Sequence, residues 1–517
     1  MRTPAEERAV AAERVAALPE RLTGILTERV AIDPDAPAVI EGSRQWSYRQ
    51  LSALVAEIAG ILREHDVRGG DRLLIIGENS TALVATLFAL ASIDATAVML
   101  NARLSAREVD NIRVHCDPRR VLYLSHVSPE AAAHAERHGA TLLELGNAGA
   151  AQISALNQAS VADTVSASGA EQVAALIYTS GTTGNPKGVM LTHCNLLFVA
   201  VVSGGLREVT KGDRVYGVLP ISHVYGLSSV CLASLYRGSC IYLESRYTPE
   251  KMAEALRDHG ITICQGVPAM YARLMAMLKA KSEKLAAPKL RFAYAGGSPL
   301  DLSLKQDVEA MLGLPLNNGY GLTEAAPTVS QTRLDQPRRD CSVGPILPFL
   351  EIRIVDTTGS DVPAGEPGEL WVRGKGVMKG YYRDPVATAA VINPGGWLNT
   401  GDVARLDPDG AMFIVGRTKE LIIRSGFNVY PAEVESVLNA HPEVTQTAVL
   451  GRAVEGNEEV VAFIERVPGT NVDETTLLAF AAQSLAPYKR PAQIIFLPAF
   501  PAAANGKVLK SKLKEML

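Results

Sequence analysis

Eleven residues, YTSGTTGNPKG at 178–188, gather three glycines, four small hydroxyls and a Pro-Lys step. Glycine lets a backbone curl until several N–H groups converge, and neighbouring hydroxyls add further donors. Such a turn can cradle a chain of phosphates, with Lys187 supplying positive charge for their oxygens. The order differs from the GxxxxGK[ST] loop, because Lys187 follows Pro186 and Gly188 stands where Ser or Thr would meet magnesium. Composition alone would make this an ordinary turn. Its order, directly after the apolar run at 173–177, makes it specific.

Seven more motifs follow it along the chain: LPISHVYGL (219–227), NNGYGLTEA (317–325), SVGPILP (342–348), GELWVRGKGVMKGYY (368–382), WLNTGD (397–402), GRTKELIIRSGFNVYPAEVE (416–435) and PAAANGKVLKSKL (501–513). The series resembles the adenylate-forming superfamily of acyl- and aryl-CoA synthetases, peptide adenylation domains and firefly-type luciferases. The likeness covers nearly the whole chain, from DPDAPAV at 33 onward. It implies two half-reactions. A carboxylate attacks the α-phosphorus of ATP to give acyl-AMP and pyrophosphate, and a thiol then displaces AMP. An anion attacking a polyanion needs charge neutralisation and in-line positioning.

The resemblance assigns roles to residues. Thr179, Ser180, Thr182, Thr183 and Lys187 would hold the β- and γ-phosphates, with Gly181 and Gly184 permitting close approach. Tyr320, flanked by Gly319 and Gly321, would stack on adenine, and Asn318 would read the 6-amino group. Thr323 would touch the α-phosphate. Glu324 would ligate Mg2+, a hard cation suited to carboxylate and phosphate oxygens. Asp402 would accept both ribose hydroxyls, with Arg417 as a second ribose or phosphate contact. Lys507 would bridge carboxylate and α-phosphate, and its distance along the chain requires the C-terminal domain to close. His223 would border the carboxylate entrance. Lys419 falls at the family hinge, and Gly426 would leave room for the pantetheine arm of coenzyme A. Gly297, in AGGSPL (295–300), would border adenine and the acyl pocket. The implied catalytic set is Lys187, His223, Thr323, Glu324 and Lys507. Singly these are ordinary residues, since a lone Asp in a turn is usually structural. Motif order carries the weight.

The expected acyl pocket joins His223 to Tyr225, Gly226, Gly266, Val267, Met270, Ala295, Gly296, Ala325 and Ala326. These residues are mostly small or apolar, and none is an Arg or Lys that could pair a second carboxylate, which disfavours dicarboxylates. No Asp follows the Leu219-Pro220 step to hold an ammonium, which disfavours amino acids. An apolar monocarboxylate fits, either aromatic or a medium to long alkyl chain. The acceptor is expected to be coenzyme A, with a stand-alone acyl-carrier protein as the alternative. A non-catalytic copy of the fold should have lost Lys187, Glu324, Asp402 or Lys507, and all four are present.

Positioning these groups takes a large frame. The chain has 517 residues, enough for two domains, with 47% hydrophobic and 21% charged residues. A net charge of −4 advertises no nucleic-acid surface, so phosphates must be held by local geometry. Six cysteines without CxxC spacing read as reduced thiols in a cytoplasmic protein. The run ALVATLFALASI (82–93) is too short to span a bilayer and reads as a buried helix, so no integral membrane segment is expected.

Strand patterns at 71–79, 214–219, 239–243 and 261–265 alternate with helical ones such as 249–259. That alternation argues for an α/β fold with largely parallel sheets. Residues 130–169 read as a weakly patterned surface segment, and 343 onward as strand–turn–strand. The expected architecture is a large domain of layered mixed and parallel sheets with a β-barrel-like subdomain (1–416), followed by a small mobile α+β domain (417–517). Expected partners are a small carboxylic acid, ATP and coenzyme A, with room for a homodimer.

Overall fold

The computed structural model describes residues 12–179, 186–424, 427–454, 457–502 and 508–517. Two eight-stranded sheets dominate the large domain. The first has a parallel run, Leu316–Gly321, Phe292–Ala295, Ile263–Gly266, Arg214–Gly217, Cys240–Leu243 and Pro37–Glu41, with an antiparallel strand at each end. The second has the parallel core Val173–Thr179, Thr96–Asn101, Arg72–Gly77 and Arg120–Tyr123. Every residue of Arg72–Gly77 is buried, the pattern of a strand covered on both faces.

The apolar run near 82–93 forms the helix Thr81–Ser92, capped by the Ser80 side chain, with Thr81 through Ala91 all buried. A helix hydrophobic on every side must be enclosed. It shares the main core with His193–Leu206, whose start is closed by a reciprocal Thr192/Asn195 capping box. Asn79 ties the two sheets together. Its Nδ2 donates to the carbonyls of Gly217 (3.0 Å) and Leu219 (2.9 Å), and its Oδ1 accepts from Ile221 N at 2.8 Å.

Because strands Arg214–Gly217, Ile263–Gly266, Phe292–Ala295 and Leu316–Gly321 run parallel, their carboxyl ends open on one side. Motifs 219–227, 295–300 and 317–325 therefore emerge together. Open α/β sheets bind ligands at this edge.

The segment 130–169 departs from its expected irregularity. It contributes the helix Pro129–Arg137 and the strands Thr141–Glu144 and Ala150–Ile153, which extend the second sheet. Only Leu143, Ala151 and Ile153 of those strands are buried, so an edge hairpin left little alternation in the sequence. Downstream, Leu350–Val355, Gly368–Gly374, Leu398–Leu406 and Met412–Arg417 make an antiparallel four-stranded sheet.

A single 3-10 turn, Thr418–Glu420, leads into the small domain. There the strands Val444–Val454, Asn457–Arg466 and Gln493–Leu497 pack with helices Pro431–Asn439 and Glu474–Ala482 around Val434, Leu438, Ala462 and Leu477. It touches the large domain at Asp301, whose Oδ2 accepts from Asn439 Nδ2 at 2.8 Å. Asp301 begins the helix Leu302–Leu312 without capping it. Burial pushes its carboxyl up to about 6, against the Asn439 hydrogen bond, which favours the anion. An acid raised in the folded state penalises folding wherever it must ionise, so the penalty is full above pH 6 and vanishes near pH 4, where the unfolded acid is also protonated. Asp301→Asn is therefore expected to raise Tm at neutral pH, with the gain shrinking as pH falls from 6 toward about 4. Thermal melts of both proteins across that range check it, and a pH-independent difference would remove Asp301 from the account.

Candidate active site

Strands Val173–Thr179 and Lys187–Thr192 pair antiparallel, with Thr179 opposite Lys187. Ser180, Gly181, Thr182, Thr183 and Gly184 lie outside the described residues. Tyr178 braces the hairpin's base, its hydroxyl 2.7 Å from His115 Nδ1. Burial, with Arg383 nearby, holds His115 below its ordinary value, and burial raises Tyr178. The neutral imidazole therefore accepts and the phenol donates.

Lys187 does not stand alone. Its ammonium lies 4.7 Å from the Tyr381 ring centroid, and the Tyr381 hydroxyl donates to Glu324 Oε1 at 2.8 Å. Burial and the Glu324 charge raise Tyr381, keeping it a donor. Tyr381 sits on Gly380–Tyr381, which pairs with the 173–192 hairpin at Met190 and Val189, while Met378 N donates to the Glu324 carbonyl at 2.9 Å. One short segment thereby joins that hairpin to the 317–325 motif.

On the nucleotide side, Asn318 Nδ2 donates to the carbonyls of Cys341 (3.2 Å) and Ser342 (3.4 Å), and its Oδ1 accepts from Gly319 N at 2.8 Å. The remaining lone pair of that oxygen suits an amino group and repels a carbonyl. Tyr320 donates its hydroxyl to Asp402 Oδ2, fixing the ring, and Arg417 Nε lies 3.1 Å from Asp402 Oδ1. Asp402 is 4% exposed. The glycines flanking Tyr320 answer to packing. A Cβ on Gly319 would sit 1.8 Å from the Tyr294 hydroxyl, and one on Gly321 2.3 Å from the Pro327 carbonyl.

Thr323 is buried in the 3-10 turn Thr323–Ala325. A cavity of about 30 Å³ is lined by Leu219, Pro220, His223, Tyr225, Val267 and Gly297, with Gly226 and Ser298 completing it. His223 Nδ1 accepts from Tyr225 N at 3.3 Å. Gly266, Met270, Ala295 and Gly296 form the layer behind this cavity: Gly266 faces Tyr271 and Met270, and Gly296 faces Tyr294 and Tyr225. Ala325 and Ala326 are core residues, the first packed with Val329, Val343 and Leu370. From Tyr225 to Leu232 the chain winds as a π-helix, all eight residues buried. Gly226 is required at its start, because a Cβ would meet the carbonyls of Pro220 at 2.2 Å and Leu219 at 2.5 Å.

Lys419 is exposed on the turn entering the small domain. Lys507 and Gly426 lie outside the described residues. Ala502 bridges Val508, and Leu509 N donates to the Pro501 carbonyl at 2.8 Å. Beyond it, Lys510 Nζ lies 2.9 Å from both Glu420 Oε2 and Glu435 Oε1.

Sequence reasoning gave no role to Tyr381, although the GYY motif held it in plain view.

Residues 26–382 match the family model of AMP-binding enzymes, and residues 433–507 that of the AMP-binding enzyme C-terminal domain. A feruloyl-CoA synthase from an Amycolatopsis species is 35% identical over 94% of this chain and 97% of its own. An indoleacetate–CoA ligase of Aromatoleum aromaticum is 32% identical over 95% and 97%. Among solved structures, ATP-bound MatB from Rhodopseudomonas palustris matches with a TM-score of 0.82 at 28% identity, covering 96% of this chain and 98% of that one.

Tyr381→Phe keeps the ring under Lys187 and removes the hydrogen bond to Glu324. A bond to a charged acceptor is worth about 1.5 kcal/mol or more, so kcat/KM for ATP is expected to fall about tenfold while KM for the acid stays put. Steady-state pyrophosphate release against ATP concentration measures this, and an unchanged value would reduce the hydroxyl to a bystander.

Proposed function

The chain belongs to the AMP-binding enzyme family, and from that membership we propose a division of labour for an ATP-dependent acid–CoA ligase working through an acyl-adenylate. Residues 1–416 hold ATP and acid, and 417–517 swing about Lys419 between the two half-reactions. Lys187 and the hydroxyls of its loop neutralise the outer phosphates. Asn318 reads the adenine amino group, Tyr320 stacks on the ring, and Asp402 with Arg417 receives the ribose. Glu324 offers a hard oxygen beside the phosphate hairpin. Mg2+ fits there through Glu324 and phosphate oxygens, and when bound it supplies charge neutralisation.

The acid's carboxylate oxygen then attacks the α-phosphorus and the bond to pyrophosphate breaks. Thr323 and Lys507 stabilise charge on the oxygens of that phosphorus, which costs least when the donors are preorganised. In the second step the sulfur of coenzyme A, entering past Gly426, adds to the acyl carbonyl. The C–O bond to AMP breaks, leaving a thioester. His223 orients the carboxylate and clears the thiol's path.

The observation that supports this reading best is the Lys187–Tyr381–Glu324 link, which brings a phosphate-binding cation and a metal-binding carboxylate to one locus. The acids in the relatives' names carry aromatic rings, which favours an aromatic apolar monocarboxylate over a fatty one.

Lys507→Ala is expected to slow acyl-AMP formation about a hundredfold or more while leaving thioester synthesis from pre-made acyl-AMP within a few fold. Equal loss of both halves would count against a swinging lysine. A pyrophosphate-release screen over benzoates, phenylpropenoates and fatty acids of graded length, with coenzyme A present, tests the reaction itself. Release of ADP in place of AMP would overturn it, and thioester formation only on a carrier protein would move the acceptor.

A further inference from the structure

Asn318 is 5% exposed, and its main chain is held without help from its side chain. Its N donates to Thr332 Oγ1 at 3.0 Å, and its carbonyl accepts from Thr332 N at 2.9 Å. The side-chain amide is fixed by other partners. Both Nδ2 hydrogens go to carbonyls, Cys341 at 3.2 Å and Ser342 at 3.4 Å, so the group has no donor left for a ligand. Half a turn of the amide would exchange acceptor for donor. The position of those two carbonyls forbids it.

Each carbonyl is one end of a planar peptide unit, so it points where the N–H at the other end allows. The unit of the Ser342 carbonyl is tied through Val343 N, which donates to the Met412 carbonyl at 2.8 Å. The unit of the Cys341 carbonyl is tied by a side chain: Ser342 N donates to Asp340 Oδ1 at 3.0 Å. Asp340 is itself anchored. Arg338 Nη2 lies 2.6 Å from its Oδ2, and Arg338 Nη1 lies 2.6 Å from Asp409 Oδ2. Burial opposes its charge, yet Arg338 and the Ser342 N–H hold the carboxyl down at about 2. An anion at one end of a peptide also polarises the carbonyl at the other into a stronger acceptor. A half-exposed ion pair with Arg338 contributes little to stability and accounts for none of the contact with Ser342 N.

We propose that Asp340 is a positioning residue for base selection: through the Cys341–Ser342 peptide it holds the Asn318 amide with its oxygen free, so that a 6-amino purine is accepted and a 6-oxo purine refused. The inference rests on the reading above of Asn318 as the group that meets the adenine amine. Without Asp340 the peptide tilts, the Cys341 carbonyl leaves Nδ2, and the amide turns to offer an N–H to a 6-oxo group. Selectivity is then lost while nucleotide still binds. General loosening of the segment would instead weaken both nucleotides alike.

Titration calorimetry of the full-length protein compares ATP with ITP, in which a 6-oxo group replaces the amine. Wild type is expected to bind ATP at least about tenfold more tightly. Asp340→Ala should bring that ratio within about threefold, with ATP weakened and ITP held or strengthened. Asp340→Asn, whose amide oxygen still accepts from Ser342 N, should keep a ratio of about fivefold or more. A wild-type ratio near one, a ratio that survives in Asp340→Ala, or an equal fall for both nucleotides overturns the assignment. So does a loss in Asp340→Asn as complete as in Asp340→Ala. Should Asp340→Ala not fold, Arg338→Ala is expected to lower the ratio about twofold or more, and an unchanged ratio overturns the proposal. Calorimetry needs no turnover, so the two readings separate. Selectivity that depends on Asp340, without pyrophosphate release from any acid, keeps this role and rejects the ligase reading; AMP formation by an unselective wild type does the reverse.

Discussion

The hydrogen bond from Tyr381 to Glu324, made beneath the ammonium of Lys187, is the constraint that joins the 173–192 hairpin to the 317–325 motif. Glu324 and Lys187 come from different sheets, 137 positions apart in the chain, and neither could locate the other by local structure. The strand pairing of Gly380–Tyr381 with the 173–192 hairpin fixes the tyrosine in register, and the backbone bond from Met378 fixes the carboxylate's own turn. Opposite charges are thereby held on either side of one tyrosine, the ammonium over its ring and the carboxylate on its hydroxyl.

The second organising fact is topological. Parallel strands deliver their loops to one edge, so Leu219–Tyr225, Gly296–Gly297 and Asn318–Glu324 share a rim although they are scattered along the sequence. Asn79 then binds the ends of the two sheets at that rim. The glycines there are fixed by near neighbours: Gly226 by two carbonyls, Gly319 by a tyrosine hydroxyl and Gly321 by a proline carbonyl.

Much of this could be read from sequence where one period and one environment agreed. The run near 82–93 is apolar on every side and became an enclosed helix. Parallel strands with continuous apolar runs were equally plain. The hairpin Thr141–Glu144/Ala150–Ile153 escaped because an edge with few buried residues leaves no pattern. The π-helix escaped because propensity within Tyr225–Leu232 does not encode the close approach of Gly226 to the Leu219 and Pro220 carbonyls. Tyr381 escaped for a related reason. Its meaning lies in a partner 57 positions away, Glu324, which only the folded chain brings near.

Lys510, clasped by Glu420 and Glu435, ties the helix Lys510–Lys514 to the turn Thr418–Glu420 and to the helix Pro431–Asn439. The clasp joins the first turn, the first helix and the last helix of the small domain, so a change that frees Lys510 loosens all three at once.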